Sequence, residues 1–251
     1  MTLCVPYIPD ETIERDAEAL LAQYARAAGF EVKAPIPIED IVEKHLKLRI
    51  ELGDLHRLLG VPRGGFGAEP GICGAIWLDT GEIYIDESLD PEERPSIEGR
   101  YRFTLAHEVG HWRLHRPLVL RNRGRGSLFG DMPRPTVVCR TTQAKERVEI
   151  QADLYASYLL MPRRLVLAEW AEWQDRVGRT RPLLVSDLCP NGRVMSRAET
   201  WFYEQGRGEV DAVNDAPMAR RFGVSRTAMR IRLEKLGLLL RAEPKLQSMN
   251  L

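Results

Sequence analysis

The chain has 251 residues, 44% of them hydrophobic, with 36 basic and 36 acidic side chains and no net charge. That length and apolar content suffice for one substantial core or two small ones. The sequence has no run of about 18 apolar residues, which excludes a membrane-crossing helix, and Met1 to Pro6 lacks the basic start and apolar stretch of a secretion signal. Cys4, Cys73, Cys139 and Cys189 lie far apart without a C-x-x-C pair, a usage that fits a reducing cytoplasm and not a disulfide framework.

In chain order, Asp10 to Phe30 reads as an amphipathic helix with Ile13, Ala17, Leu20, Leu21 and Tyr24 on one side and Gly29 near its end. Pro35-Ile36-Pro37 is a rigid link into a short helix, Ile38 to Leu46. Leu48 to Leu52 alternates as a strand. Residues 60–71 read as a loop; no Lys-Ser/Thr pair follows Gly64, Gly65 and Gly67, so it is no phosphate cradle. Ile72 to Leu78 and Glu82 to Asp86 are strands joined through Asp79-Thr80-Gly81, a hairpin signal. Helices thus flank a small, mostly antiparallel sheet, an α+β arrangement. The strand Ile72–Leu78 is the expected free edge, where an extended peptide could add.

After the hairpin comes Thr104-Leu105-Ala106-His107-Glu108-Val109-Gly110-His111. On a helix, positions i and i+4 share a face one turn apart, so His107 and His111 can grip one metal ion while Glu108 projects beside them. This is the H-E-x-x-H arrangement of zinc-dependent proteases. Gly110 costs helix propensity of about 1 kcal/mol, which points to close packing of a neighbour at that position. His115 extends the series, but eight helical residues rise about 12 Å and a zinc–nitrogen bond is about 2 Å. It is therefore read as a packing or hydrogen-bonding residue.

A third ligand is sought in Val148 to Pro162, where Ala152, Tyr155, Ala156, Leu159 and Leu160 recur at helical spacing. Glu149 and Asp153 are again i and i+4. Glu149 can give the metal a carboxylate oxygen, and Asp153 can accept the free ring N–H of a ligand histidine and fix its tautomer. An isolated E-x-x-x-D is ordinarily a solvated acidic edge. Its apolar, alanine-rich setting downstream of the histidines favours the ligand reading. Tyr155 and Tyr158 on the same helix are expected to face the core.

Residues 1–99 hold 20 acids and 9 bases, and residues 100–251 hold 16 acids and 27 bases. Much of the basic excess lies between the two motifs, in residues 113–147, where Arg121, Arg123, Arg125 and Arg134 are examples. Such a segment can steer an acidic partner, touch nucleic acid or simply be solvated. Cys139 falls within it; an ordinary free cysteine is favoured over an inhibitory thiolate. Trp170, Trp173, Trp201, Phe202 and Tyr203 read as core aromatics. Ala219 to Gly237 resembles a helix-turn-helix with Ser225 as N-cap and a basic surface that includes Arg220, Arg221, Arg226 and Arg230. Arg232 falls where a recognition helix wants an apolar anchor. A structural lid on the core is favoured over DNA contact.

Phe103 to His115 (FTLAHEVGHWRLH) and Glu149 to Pro162 (EIQADLYASYLLMP) resemble the ImmA/IrrE-type metallopeptidases of bacteria and their mobile elements. Gly74 to Ser88 is similar to that family's hairpin, and Ala219 to Leu239 to its closing helical segment. The resemblance implies a gluzincin-like small zincin fold. It also implies His107, His111 and Glu149 as ligands of Zn2+, or of Mn2+, with Glu108 as catalytic base. The typical substrate it implies is a DNA-binding repressor, cut once. The 37 residues between His111 and Glu149 are a departure from the family's pattern.

The expected organisation is a metallopeptidase core over 1–165 and a helical subdomain over 166–251, integrated into one domain. The expected function is a cytoplasmic zinc endopeptidase acting on a helix-turn-helix repressor. The rival reading is a metal-stabilised regulator that sequesters a repressor, or binds DNA, without cutting. Glu108 separates the two, because a purely structural metal site needs no carboxylate at an open position.

Overall fold

The first helix, α1, runs Asp10–Ala28 and buries Ile13, Ala17, Leu20, Leu21 and Tyr24, the apolar side read from the sequence. Gly29 closes it in the left-handed conformation at φ 75°, returning its N–H to the Ala25 carbonyl. The structure, a computed structural model, describes residues 5–61, 71–123, 137–140, 146–177, 183–184 and 215–240. The chain divides into two compact units, Met1–Pro162 and Arg163–Leu251.

In the first unit, α2 (Ile38–Asp40) widens into a π turn over Ile41–His45. Strand β1 (Arg49–Gly53), short helix α3 (Leu55–Leu59) and the hairpin β2 (Ile72–Trp77) and β3 (Glu82–Asp86) follow. Gly81 makes the hairpin turn at φ 81°. Its absent side chain also makes room for Leu48, whose Cδ2 would lie 2.8 Å from a Cβ there. Helix α4 spans Glu98–Leu114 and α5 Arg116–Arg123; strand β4 is Val137–Arg140 and helix α6 Arg147–Leu160.

One sequence expectation is refined and another corrected. The described sheet has the order β1-β3-β2-β4, and β1 runs parallel to β3 while the hairpin and β2/β4 pairs are antiparallel. It is therefore mixed: two of its three pairings fit the antiparallel reading, and the parallel β1/β3 pair departs from it. Alternation marks a half-buried strand but says nothing about its direction. The strand at Ile72–Leu78 is also no edge: β2 lies between β3 and β4, and its residues Ile72 to Ile76 are all buried. The place is taken by Val137 and Val138, a β-branched pair inside the basic excursion, which pair with Ile76 and Ala75.

In the second unit α7 (Arg163–Val177) buries Trp170, whose ring meets that of Trp173 in a tilted contact, centroids 5.0 Å apart. Helix α8 (Asp215–Phe222) turns through Gly223 at φ 63° into α9 (Arg226–Lys235). The Ser225 hydroxyl accepts from the Ala228 N–H, 3.2 Å away, as the N-cap reading requires. Met218, Ala219, Phe222, Val224, Met229 and Leu233 are buried around the turn. Strands β5 (Leu183–Leu184) and β6 (Leu239–Leu240) pair in parallel. Among the described residues no helix is long and apolar enough to cross a membrane. The glycines at 64–67, the Cys139 thiol and Trp201 to Tyr203 lie outside what the structure describes.

Candidate metal centre

Helix α4 has no solvent face over its middle turns: Thr104 through His111 are all buried. Such a helix shows little amphipathic periodicity, because every side meets protein. Its neighbours are β2 on one side and α6 on another. Gly110 is what lets α6 come close. A Cβ there would lie 2.9 Å from the Tyr155 Cβ and 3.1 Å from both the Cα and the carbonyl oxygen of Ala152. Asp16 of α1 then ties the helices together, accepting from Arg113 of α4 at 2.9 and 3.0 Å and from the Tyr155 hydroxyl of α6 at 3.0 Å. Tyr155 and Tyr158 thus face inward, as the sequence suggested.

This packing brings His107, His111 and Glu149 together, with one candidate ligand atom from each within 4.8 Å of the others. The two histidine Nε2 atoms are 2.9 Å apart. Glu149 Oε2 stands 3.2 Å from His107 Nε2, and Glu149 Oε1 stands 3.5 Å from His111 Nε2. Asp153 is one turn along α6, its Oδ1 3.0 Å from His107 Nδ1. His115 points away from the cluster. Its Nδ1 is 2.9 Å from His111 Nδ1 and its Nε2 is 3.0 Å from Gln151 Oε1.

The hydrogen-bond partners assign the tautomers. The Asp153 carboxylate can only accept, so His107 carries its proton on Nδ1 and leaves Nε2 bare. The Pro6 carbonyl accepts from Gln151 Nε2 at 2.8 Å, which turns Gln151 Oε1 toward His115. His115 must then donate from Nε2 and accept at Nδ1, so His111 donates from Nδ1 and also leaves Nε2 bare. Burial holds the pKa of His111 well below the usual histidine value and lowers that of His115, so both rings are neutral. Two bare nitrogens and a carboxylate facing one point repel one another unless a cation lies between them. The donor set therefore fits a divalent metal ion, two imidazoles and a carboxylate being a common set for zinc.

Glu108 is fully buried, and neither of its carboxylate oxygens has a hydrogen-bond partner. Burial pushes its pKa from the ordinary 4.5 up to about 8, Glu149 adding to the rise and His107 opposing it. Gly74 of β2 makes the space for it: a Cβ at that position would lie 2.6 Å from Glu108 Oε1 and 2.8 Å from Thr104 Cγ2. An unpartnered buried carboxylate is costly in a resting structure, and such groups gather at reactive sites. Gly74, Gln151 and the Pro6 carbonyl have no counterpart in the sequence reading. Gln151 carried a signal only in being polar on the otherwise apolar, buried side of α6.

Residues 67–179 match the model of the M78 peptidase family, described as the IrrE N-terminal-like domain. That segment is similar to the family's domain. The matched IrrE N-terminal-like segment contains the hairpin, α4 and α6, and with them His107, Glu108, His111 and Glu149. The match to a peptidase family and a His-His-Glu cluster able to hold a metal ion together support a metal-dependent peptidase. A comparison with curated proteins finds no match.

Proposed function

We propose that this protein is a zinc-dependent endopeptidase of the cytoplasm that cuts a helix-turn-helix repressor and so relieves repression. The observation that carries the reading is the pair of bare histidine nitrogens and the Glu149 carboxylate converging beside the unpartnered carboxylate of Glu108. His107, His111 and Glu149 would hold the ion, and Asp153 would hold His107 in the ligating tautomer. A divalent ion held by these residues would supply Lewis acidity toward the scissile carbonyl and toward water. Glu108 takes a proton from the attacking water and returns it to the leaving amine. For that role it must be ionised, which a nearby dication favours against the burial that now raises its pKa. The two nitrogens and one oxygen suit zinc, and they accept manganese as well. The repressor substrate comes from the resemblance of the two motifs to ImmA/IrrE-type peptidases.

Two variants test it. Purified protein should carry about one zinc per chain, and Glu149→Ala should lose most of it. Glu108→Gln keeps the three ligands, so it should keep metal and fold while cleavage of a co-expressed repressor falls at least ~100-fold. Equal derepression by wild type and Glu108→Gln would assign the chain instead to the non-cleaving regulators.

A further inference from the structure

His111 is oriented differently from His107. The partner of His107 Nδ1 is a carboxylate on the neighbouring helix. The partner of His111 Nδ1 is a second neutral imidazole, fully buried, whose own far nitrogen is committed to Gln151. Both ring nitrogens of His115 are thereby used, so it has none left to offer an ion. Gln151 is buried too, and its amide is set by the Pro6 carbonyl. That carbonyl belongs to an extended segment which α6 grips at two points one turn apart. Gln151 holds Pro6 at 2.8 Å, and Arg147 Nη1 reaches the Val5 carbonyl at 3.4 Å. Val5 itself is buried, which anchors the segment on α6.

We propose that His115, Gln151 and the Pro6 carbonyl form a positioning relay for the metal centre, holding His111 in the tautomer that presents Nε2. The inference rests on the metal-site reading above and extends it to residues outside the H-E-x-x-H motif. A neutral imidazole can carry its proton on either nitrogen, and only one of the two states leaves Nε2 free to ligate. The relay selects that state through a directional chain. The backbone carbonyl orients the amide, the amide orients His115, and His115 accepts from His111. Every member is neutral, so the ligand is fixed without adding a second negative charge beside Glu149. The segment around Pro6 is thereby a working part of the centre, although Pro6 lies 105 positions from His111 in the chain.

The test is zinc affinity by chelator competition, together with long-range 1H–15N spectra of the histidine rings, on the full chain. In zinc-loaded wild type, His111 should be protonated on Nδ1 only and His115 on Nε2 only. His115→Leu removes the acceptor and should weaken zinc binding by roughly 10- to 100-fold, the range for losing a ligand's orienting partner. His115→Asn places an amide oxygen where Nδ1 stood and should recover most of that loss. Gln151→Leu should weaken binding and mix the tautomers of His115. Wild-type protein that binds no zinc would remove the metal reading itself. Wild type that binds zinc while His115→Leu binds it equally well would overturn the relay alone. So would a His115 protonated on Nδ1, which wild-type spectra report even if the leucine variant does not fold.

Discussion

Gly110 carries two opposed effects that magnitudes can separate. Alanine is the better helix former by about 1 kcal/mol, so on propensity alone Gly110→Ala would stabilise α4. A methyl group there would meet the Tyr155 Cβ at 2.9 Å and Ala152 backbone atoms at 3.1 Å. Backbone cannot swing aside, and overpacking of this kind costs about 1–3 kcal/mol. The clash wins: the variant should unfold at lower urea concentration than wild type. It should also bind zinc more weakly, since α4 carries two candidate ligands and α6 the third. Unchanged urea midpoint and zinc affinity would show that the helices separate without cost. His107, His111, Glu149 and Asp153 were legible in the sequence because i, i+4 spacing fixes a shared face without knowledge of the fold. Gly74 and Gln151 were not. Their places beside Glu108 and His115 come from tertiary packing across 34 and 36 positions, which no local spacing records.

Among elements, legibility follows how one-sided each is. Helix α1 has one buried side and matches its predicted span closely. Helix α4 is buried all round, so only its chemical motif announced it. Strand β4 hid within a basic stretch, where charge outweighed the valine pair. Helix α9 shows how a local rule can be broken for packing. Arg232 is 1% exposed, in the company of Met229 and Leu233, so the position that lacked an apolar anchor is filled by an inward arginine. Arg230 is turned toward Glu234, 3.7 Å away on the same helix. These contacts favour a packed structural element over a reading head. Replacing Arg226 and Arg230 with alanine should therefore leave retention on duplex DNA weak and unchanged at physiological salt. Tight, sequence-specific binding whose salt dependence becomes shallower in the double variant would contradict this.

At the scale of the whole molecule, the buried carboxylate of Glu108 should set a pH dependence in the metal-free protein. Its pKa is raised in the folded state from the ordinary 4.5 to about 8. The folded state thus holds this proton more tightly than the unfolded state does. Stability from the group is full below about pH 4.5 and is lost as pH rises toward about 8. His111 acts in the opposite sense, its lowered pKa removing stability as pH falls below the ordinary 6.5. Comparing wild type with Glu108→Gln cancels the His111 effect. The melting temperature of metal-free Glu108→Gln should exceed that of wild type by a margin that grows between about pH 5 and about pH 8. A constant margin would mean that Glu108 is solvated in the metal-free protein. Zinc should shrink the margin, because a cation favours the ionised carboxylate. The division of the chain at Pro162 has an evolutionary reach. His107, Glu108, His111, Glu149, Asp153 and the relay from Pro6 all precede that boundary. The residues of the candidate centre are thus inherited together, within one unit of the chain.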